Sequence, residues 1–118
     1  SEDFSRVILN LCNNAFDAMR EKLNSYTGAT EYNPKLTVKT FRKNGNIEIQ
    51  IKDNGGGIPK EYKDKILQPF FTTKKGTEGT GLGLSITNDI IKAHKGSLDV
   101  NSEKDNYTSF NILLPLQN

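Results

Sequence analysis

Asn10, Asn14 and Asp17 fall on one flank of a helical pattern, and Asn13 makes three asparagines within two turns. Asparagine is a poor helix former, so its repetition where lysine or glutamate would serve points to amide chemistry. Neutral amide oxygens suit a Mg²⁺ ion whose other ligands are phosphate and water. A polar flank is equally the mark of a solvated helix face, and spacing alone leaves both readings open. Further on, Asp53 ends an apolar strand pattern and precedes Asn54, Gly55, Gly56 and Gly57. Asp-Asn-Gly is ordinary turn chemistry. Three successive glycines exceed a turn's needs; they let backbone lie against a flat ligand while the carboxylate accepts a hydrogen bond from an exocyclic amine. The third group is Gly79-Thr80-Gly81-Leu82-Gly83-Leu84, with Lys74 and Lys75 just before it. Glycine amides leading into a helix N-terminus favour phosphate. No Gly-Lys-Ser/Thr closes the run, so it is not a triphosphate P-loop, and its glycine spacing is not the dinucleotide fingerprint.

Positioning these groups falls to a short series of elements. Phe4, Val7, Ile8, Leu11, Cys12, Ala15, Phe16, Met19 and Leu23 follow an amphipathic helical period, with Ser1 or Asp3 available as a cap. Residues 24–34 are turn-rich and read as a loop. Alternation of Leu36, Val38 and Thr40 with Ile47, Ile49 and Ile51 about Asn44-Gly45 predicts a β-hairpin. Pro59 can open a short helix to about Leu67. Leu82, Ile86, Ile90 and Ala93 form a second helical stripe, with Gly96 in the usual stop position. Residues 97–102 and 108–116 then read as a closing strand pair about a turn at 103–106. The predicted fold is α+β: a two-layer sandwich with helices on one face of a mixed, mostly antiparallel sheet.

Composition narrows the function classes. A chain of 118 residues is one domain, residues 1–118, with one modest core. Its formal net charge of +2, without a Lys/Arg run, does not suggest a nucleic-acid surface. Cys12 is the single cysteine, which excludes an internal disulfide and fits a reducing, cytoplasmic setting. The apolar runs are far shorter than the ~20 residues of a membrane span, and no leader pattern is visible. The chain opens almost directly on the helical pattern, as a domain excised from a longer protein would.

Taken in order, "VILNLCNNAFDAM", "DNGGGIP", "PFFTTKKG" and "GTGLGLSI" resemble the N, G1, F and G2 boxes of the ATP-binding catalytic domain of sensor histidine kinases. That domain belongs to a superfamily shared with gyrase-type topoisomerases, the heat-shock chaperone ATPase and the mismatch-repair ATPase. The resemblance covers essentially the whole chain. It implies the cofactors ATP and Mg²⁺, with Asn14 the principal metal-binding asparagine and Asn10 completing the metal and phosphate contacts. By the same resemblance Asp53 holds the adenine amino group, while Gly55, Gly57 and Ile58 shape the pocket. Phe70 and Phe71 anchor a short ATP lid, and Thr80, Leu82, Leu84 and the glycines Gly79, Gly81 and Gly83 follow the phosphates. Either Lys74 or Lys75 reaches a phosphate, and Thr108 matches a hydroxyl near the adenine.

The resemblance further implies protein-histidine kinase activity within a two-component system. The γ-phosphate would pass to a histidine on a separate dimerisation domain of the same homodimeric kinase, and then to a response regulator. The resemblance is compatible with a cytoplasmic domain of a membrane-anchored parent. Three departures stand out. Tyr107 replaces the glycine usual before Thr108, Asp17 replaces a lysine common three residues after the metal asparagine, and the first short strand is missing. His94, the single histidine, reads as a helix-end structural residue rather than a phosphoacceptor. The alternatives are an ATP-hydrolysing conformational switch of the same superfamily and a non-catalytic nucleotide-sensing module.

Overall fold

Asn44 and Gly45 reverse the chain with φ of 52° and 80°, the positive pair that a two-residue hairpin turn requires. They join β1 (Leu36–Lys43) to β2 (Asn46–Asp53) in the computed structural model, which describes residues 2–25, 31–62, 65–66 and 83–115. Helix α1 (Glu2–Ser25) precedes this hairpin. After it come a 3-10 turn (Lys60–Tyr62), α2 (Gly83–Ala93), β3 (Ser97–Glu103) and β4 (Tyr107–Pro115). The second hairpin turns at 104–106, with Asp105 at φ 65°. The short helix expected after Pro59 is a single 3-10 turn among the described residues. The expectations on Phe70, Phe71, Lys74, Lys75, Gly79, Thr80, Gly81 and Leu82 lie outside them.

The strands form one sheet in the order β1-β2-β4-β3. Every pairing among the described residues is antiparallel, in keeping with the mostly antiparallel sheet expected. Two short-turned hairpins can only be antiparallel within themselves, and they join through β2 and β4 running oppositely. Both helices pack on one face, giving the expected two-layer α+β sandwich. Its core is Val7 and Leu11 of α1, Ile91 of α2, and Ile51, Leu98, Phe110 and Ile112 of the sheet, together with Ile66. Val38, at the edge of that face, stays about half exposed.

Helical phase differs from the expectation in two places. On α1 the buried line is Val7, Leu11, Ala15 and Met19, while Phe16 and Leu23 are 50% and 51% exposed. Phe16 lies about 100° round from Ala15, and each four-residue step drifts about 40°, so Leu23 has rotated off the sheet. On α2 the polar Ser85 and Thr87 are buried and Ile86 is exposed, the reverse of the apolar pattern. The Thr87 hydroxyl accepts a hydrogen bond from Asn10 Nδ2 of α1 at 3.3 Å, which gives it a partner in the interior.

Lys95, not Gly96, takes the left-handed position after α2, with φ 64°. The Gly96 amide donates to Ile91 O (2.9 Å) and the Lys95 amide to Lys92 O (2.9 Å), a Schellman closure. Gly96 is needed for a different reason: a Cβ there would sit 2.5 Å from Leu113 O. His94 is structural, as expected. Its Nδ1 donates to Ile90 O (2.9 Å), and its ring meets Phe4 of α1 edge-on at 5.4 Å.

Candidate nucleotide-binding site

A row of side chains crosses the helix-covered face at one end of the sheet. Leu36 pairs with Asp53, Asp53 with Thr108, and Thr108 with Ser102. Asp53 and Thr108 are 3% and 4% exposed. A carboxylate so placed is costly to desolvate, and burial raises its pKa above the ordinary Asp value. Two features oppose that rise: the Gly55 amide donates to Asp53 Oδ1 at 2.8 Å, and the Lys22 ammonium contributes a nearby positive charge.

The glycines after Asp53 are set by close approach. A Cβ on Gly55 would lie 2.9 Å from Asp53 Oδ1 and 3.0 Å from the Ala18 backbone of α1. Gly57 has φ 71°, and a Cβ there would come within 2.3 Å of Glu103 O. Gly56 faces open space. The loop is also stitched to the far hairpin. The Ile58 amide donates to Ser102 Oγ (2.6 Å), and the Asp105 amide to Gly56 O (2.7 Å). Ile58 and Leu84, both expected near a ligand, are partly buried hydrophobics against the core.

On α1, Asn10, Asn14, Ala18 and Lys22 succeed one another at four-residue steps and form one ridge. Ala18 is where this ridge meets Gly55. Asn14 and Asn10 therefore stand about 6 and 12 Å along the helix from that contact. Both are half-buried. Asn10 Nδ2 donates to Thr87 Oγ1 at 3.3 Å, so its amide nitrogen faces α2. Asp17, expected on the same flank, forms an exposed i,i+3 ion pair with Arg20. Cys12 is a free, partly buried thiol packed against the core, and burial raises its pKa.

Several residues of the site carry no signal in the sequence. Asn54 is a clamp: its Oδ1 accepts from the Lys35 amide (2.7 Å) and the Tyr32 hydroxyl (3.3 Å), and its Nδ2 donates to Asn33 O (2.8 Å). Lys22, in the last turn of α1, would be read as a favourable charge on the helix dipole. Ser102 and Thr87 stand in patterns that suggest only an exposed strand and a polar helix face.

This two-layer arrangement, with a buried carboxylate beside a glycine loop and asparagines along the facing helix, defines an ATPase-type nucleotide fold. The family described as histidine kinase-, DNA gyrase B- and HSP90-like ATPase matches residues 1–118, and the chain belongs to it. Its relatives include the two-component sensor PprA of Pseudomonas aeruginosa, 36% identical over 98% of this chain and 12% of PprA. The sensor kinase CckA of Brucella abortus is 39% identical over 95% of this chain and 12% of CckA. The chain thus spans about an eighth of these relatives. The catalytic domain of histidine kinase ThkA, in a nucleotide-free form, superposes with a TM-score of 0.74 at 32% identity. That match covers 97% of this chain and 66% of the ThkA chain. The mycobacterial sensor histidine kinase MprB shares the fold, with a TM-score of 0.77 at 24% identity. Within its family the chain is an ATP-binding catalytic domain of the sensor-kinase kind.

Proposed function

We propose that this domain binds Mg-ATP and presents the γ-phosphate to a histidine on a separate dimerisation domain of the same kinase. The observation that carries the reading is the alignment of Asp53, Gly55 and Ala18 with Asn14 and Asn10. An adenine whose amino group donates to Asp53 has its phosphates extending toward the two asparagines. Thr108, directly across from Asp53, offers a hydroxyl on the same floor. The amide oxygens of Asn14 and Asn10 are hard donors suited to Mg²⁺ with phosphate and water as partners. In this reading an ion held there shares the nucleotide's own oxygens. When bound, Mg²⁺ supplies charge neutralisation for phosphoryl transfer.

The chain's own contribution is positioning. Asp53 fixes the base, the Gly55–Gly57 backbone shapes the wall beside it, and the α1 ridge sets the line of the phosphates. Lys74 or Lys75 and the glycines Gly79, Gly81 and Gly83 complete the phosphate contacts in this reading. No described helix is long and apolar enough to cross a membrane. We place the domain in the cytoplasm, in a homodimeric parent that passes phosphate to a response regulator. Titration calorimetry of the 118-residue chain with ATP and ADP, with and without Mg²⁺, tests the reading. Saturable binding strengthened by Mg²⁺ for ATP supports it, and no heat at millimolar nucleotide refutes it.

A further inference from the structure

Lys22 is the fourth member of the α1 ridge, and its ammonium meets three carbonyls on two separate pieces of backbone. It donates to Asp105 O at 3.0 Å, Asn54 O at 3.4 Å and Gly55 O at 3.5 Å. It also lies over the Tyr32 ring, 4.8 Å from the centroid. Three N–H donors meet three carbonyls belonging to the glycine loop and the β3–β4 turn, while an aromatic face covers the charge. Those carbonyls flank the Gly55 amide that bonds Asp53 Oδ1 and the Asp105 amide that ties the β3–β4 turn to Gly56 O in the same glycine loop. A helix-end lysine serving only the α1 dipole would extend into water. This one is half-buried and reaches residues far away in sequence.

Resting on the nucleotide reading above, we infer that Lys22 is the positioning residue of the adenine pocket, pinning the Asn54–Gly55 backbone and the Asp105 turn so that the Asp53 carboxylate stays fixed. Lysine is suited to this task because its compact ammonium directs three donors out of one tetrahedral nitrogen, whereas a guanidinium spreads its five donors in a single plane. Among the described residues, the groups facing Asp53 are Lys22 from α1, Tyr32 from the loop before β1, and the uncharged Thr108 from β4, with Ser102 of β3 one strand further on. Lys22 is thus the cation that opposes burial at Asp53. Its loss moves Asp53 protonation to higher pH.

The test compares the wild-type chain with Lys22→Met, which keeps the aliphatic stem over Tyr32, and with Lys22→Arg, which keeps the charge. ADP affinity is measured by calorimetry across pH 4.5–8, and amide exchange is followed at Gly55 and Asp105 in the nucleotide-free chain. Lys22→Met is expected to bind ADP about tenfold more weakly at neutral pH. It should lose affinity at higher pH than wild type on acidification, and exchange faster at both amides. Lys22→Arg should keep the wild-type acid limb while losing part of the affinity. ADP's own protonation is common to all three proteins, so a displaced limb belongs to the pocket. Wild-type affinity, limb and exchange in Lys22→Met overturn the role of Lys22. A wild-type chain that binds no nucleotide overturns the underlying reading instead, and the exchange at Gly55 and Asp105 then decides the pinning by itself.

Discussion

Asp53 of β2 and Thr108 of β4 are direct partners across the antiparallel ladder, and both side chains are buried on the helix-covered face. A carboxylate and a hydroxyl side by side at the end of a sheet make a polar floor within an otherwise apolar layer. Each then has a separable consequence for ligand and for stability.

Thr108→Val removes the hydroxyl while keeping the branched shape that suits a strand. The variant should fold normally and bind adenine nucleotides roughly tenfold more weakly, the scale of one hydrogen bond in a desolvated site. Calorimetry with ADP checks this. Unchanged affinity would remove Thr108 from the pocket.

Asp53→Asn should trade affinity for stability. The amide oxygen can still accept from the Gly55 amide, but an NH₂ then faces the adenine amine, donor against donor. That mismatch costs about 1–3 kcal/mol of binding. The folded-state pKa of Asp53 lies above its unfolded value of 3.8. The group's favourable contribution is therefore fully present below 3.8 and lost as pH rises through the folded pKa. At pH 7 the nucleotide-free wild type carries the cost of a buried charge, and Asp53→Asn should melt higher. The difference should shrink as pH falls toward 4. A variant that melts lower at pH 7 would contradict the assignment.

Gly57 and Gly56 form a matched pair for testing the loop. Alanine at Gly57 must hold φ 71° and place a Cβ 2.3 Å from Glu103 O. The backbone conformation alone costs roughly 1–3 kcal/mol, before the carbonyl is displaced. Alanine at Gly56 meets nothing within 4 Å, so its effect should stay within about 0.5 kcal/mol. Urea denaturation of the two variants gives the comparison directly, and equal losses would show that the loop is not held as described.

Local chemistry made much of this legible from sequence. Asn44-Gly45 specified its own turn, and α1 declared itself through a sustained period. What sequence could not supply was set by tertiary neighbours. The Asp53–Thr108 pairing depends on β4 lying between β2 and β3, which no local signal encodes. Ser85 and Thr87 look like solvent-facing positions until Asn10 arrives from α1 to satisfy a buried hydroxyl. Gly96 was legible as a helix stop but for the wrong reason, since its necessity comes from Leu113 on another strand. Lys22 is the sharpest case: a cation at a helix end is expected on dipole grounds, and only the fold shows three carbonyls converging on it.

The last prediction separates a kinase from a switch ATPase, and it turns on Asn10. In the hydrolysing branches of the superfamily that this sequence resembles, a glutamate four residues before the metal asparagine activates the attacking water. Here that position is Asn10, whose amide has no site able to take a proton near neutral pH. Its nitrogen is already given to Thr87, which fixes the side chain between the two helices. A missing general base typically costs ~10²–10⁴-fold in rate. The purified domain should therefore hydrolyse ATP very slowly. It should also fail to label itself, because its one histidine, His94, is held by Ile90 O and the Phe4 ring. Mixed with the dimerisation domain of its own kinase and labelled ATP, it should transfer an acid-labile phosphate to that domain's histidine. Asn14→Ala should abolish this transfer while sparing adenosine binding. Brisk hydrolysis by the isolated domain, lost in Asn14→Ala, would instead assign it to the switch ATPases.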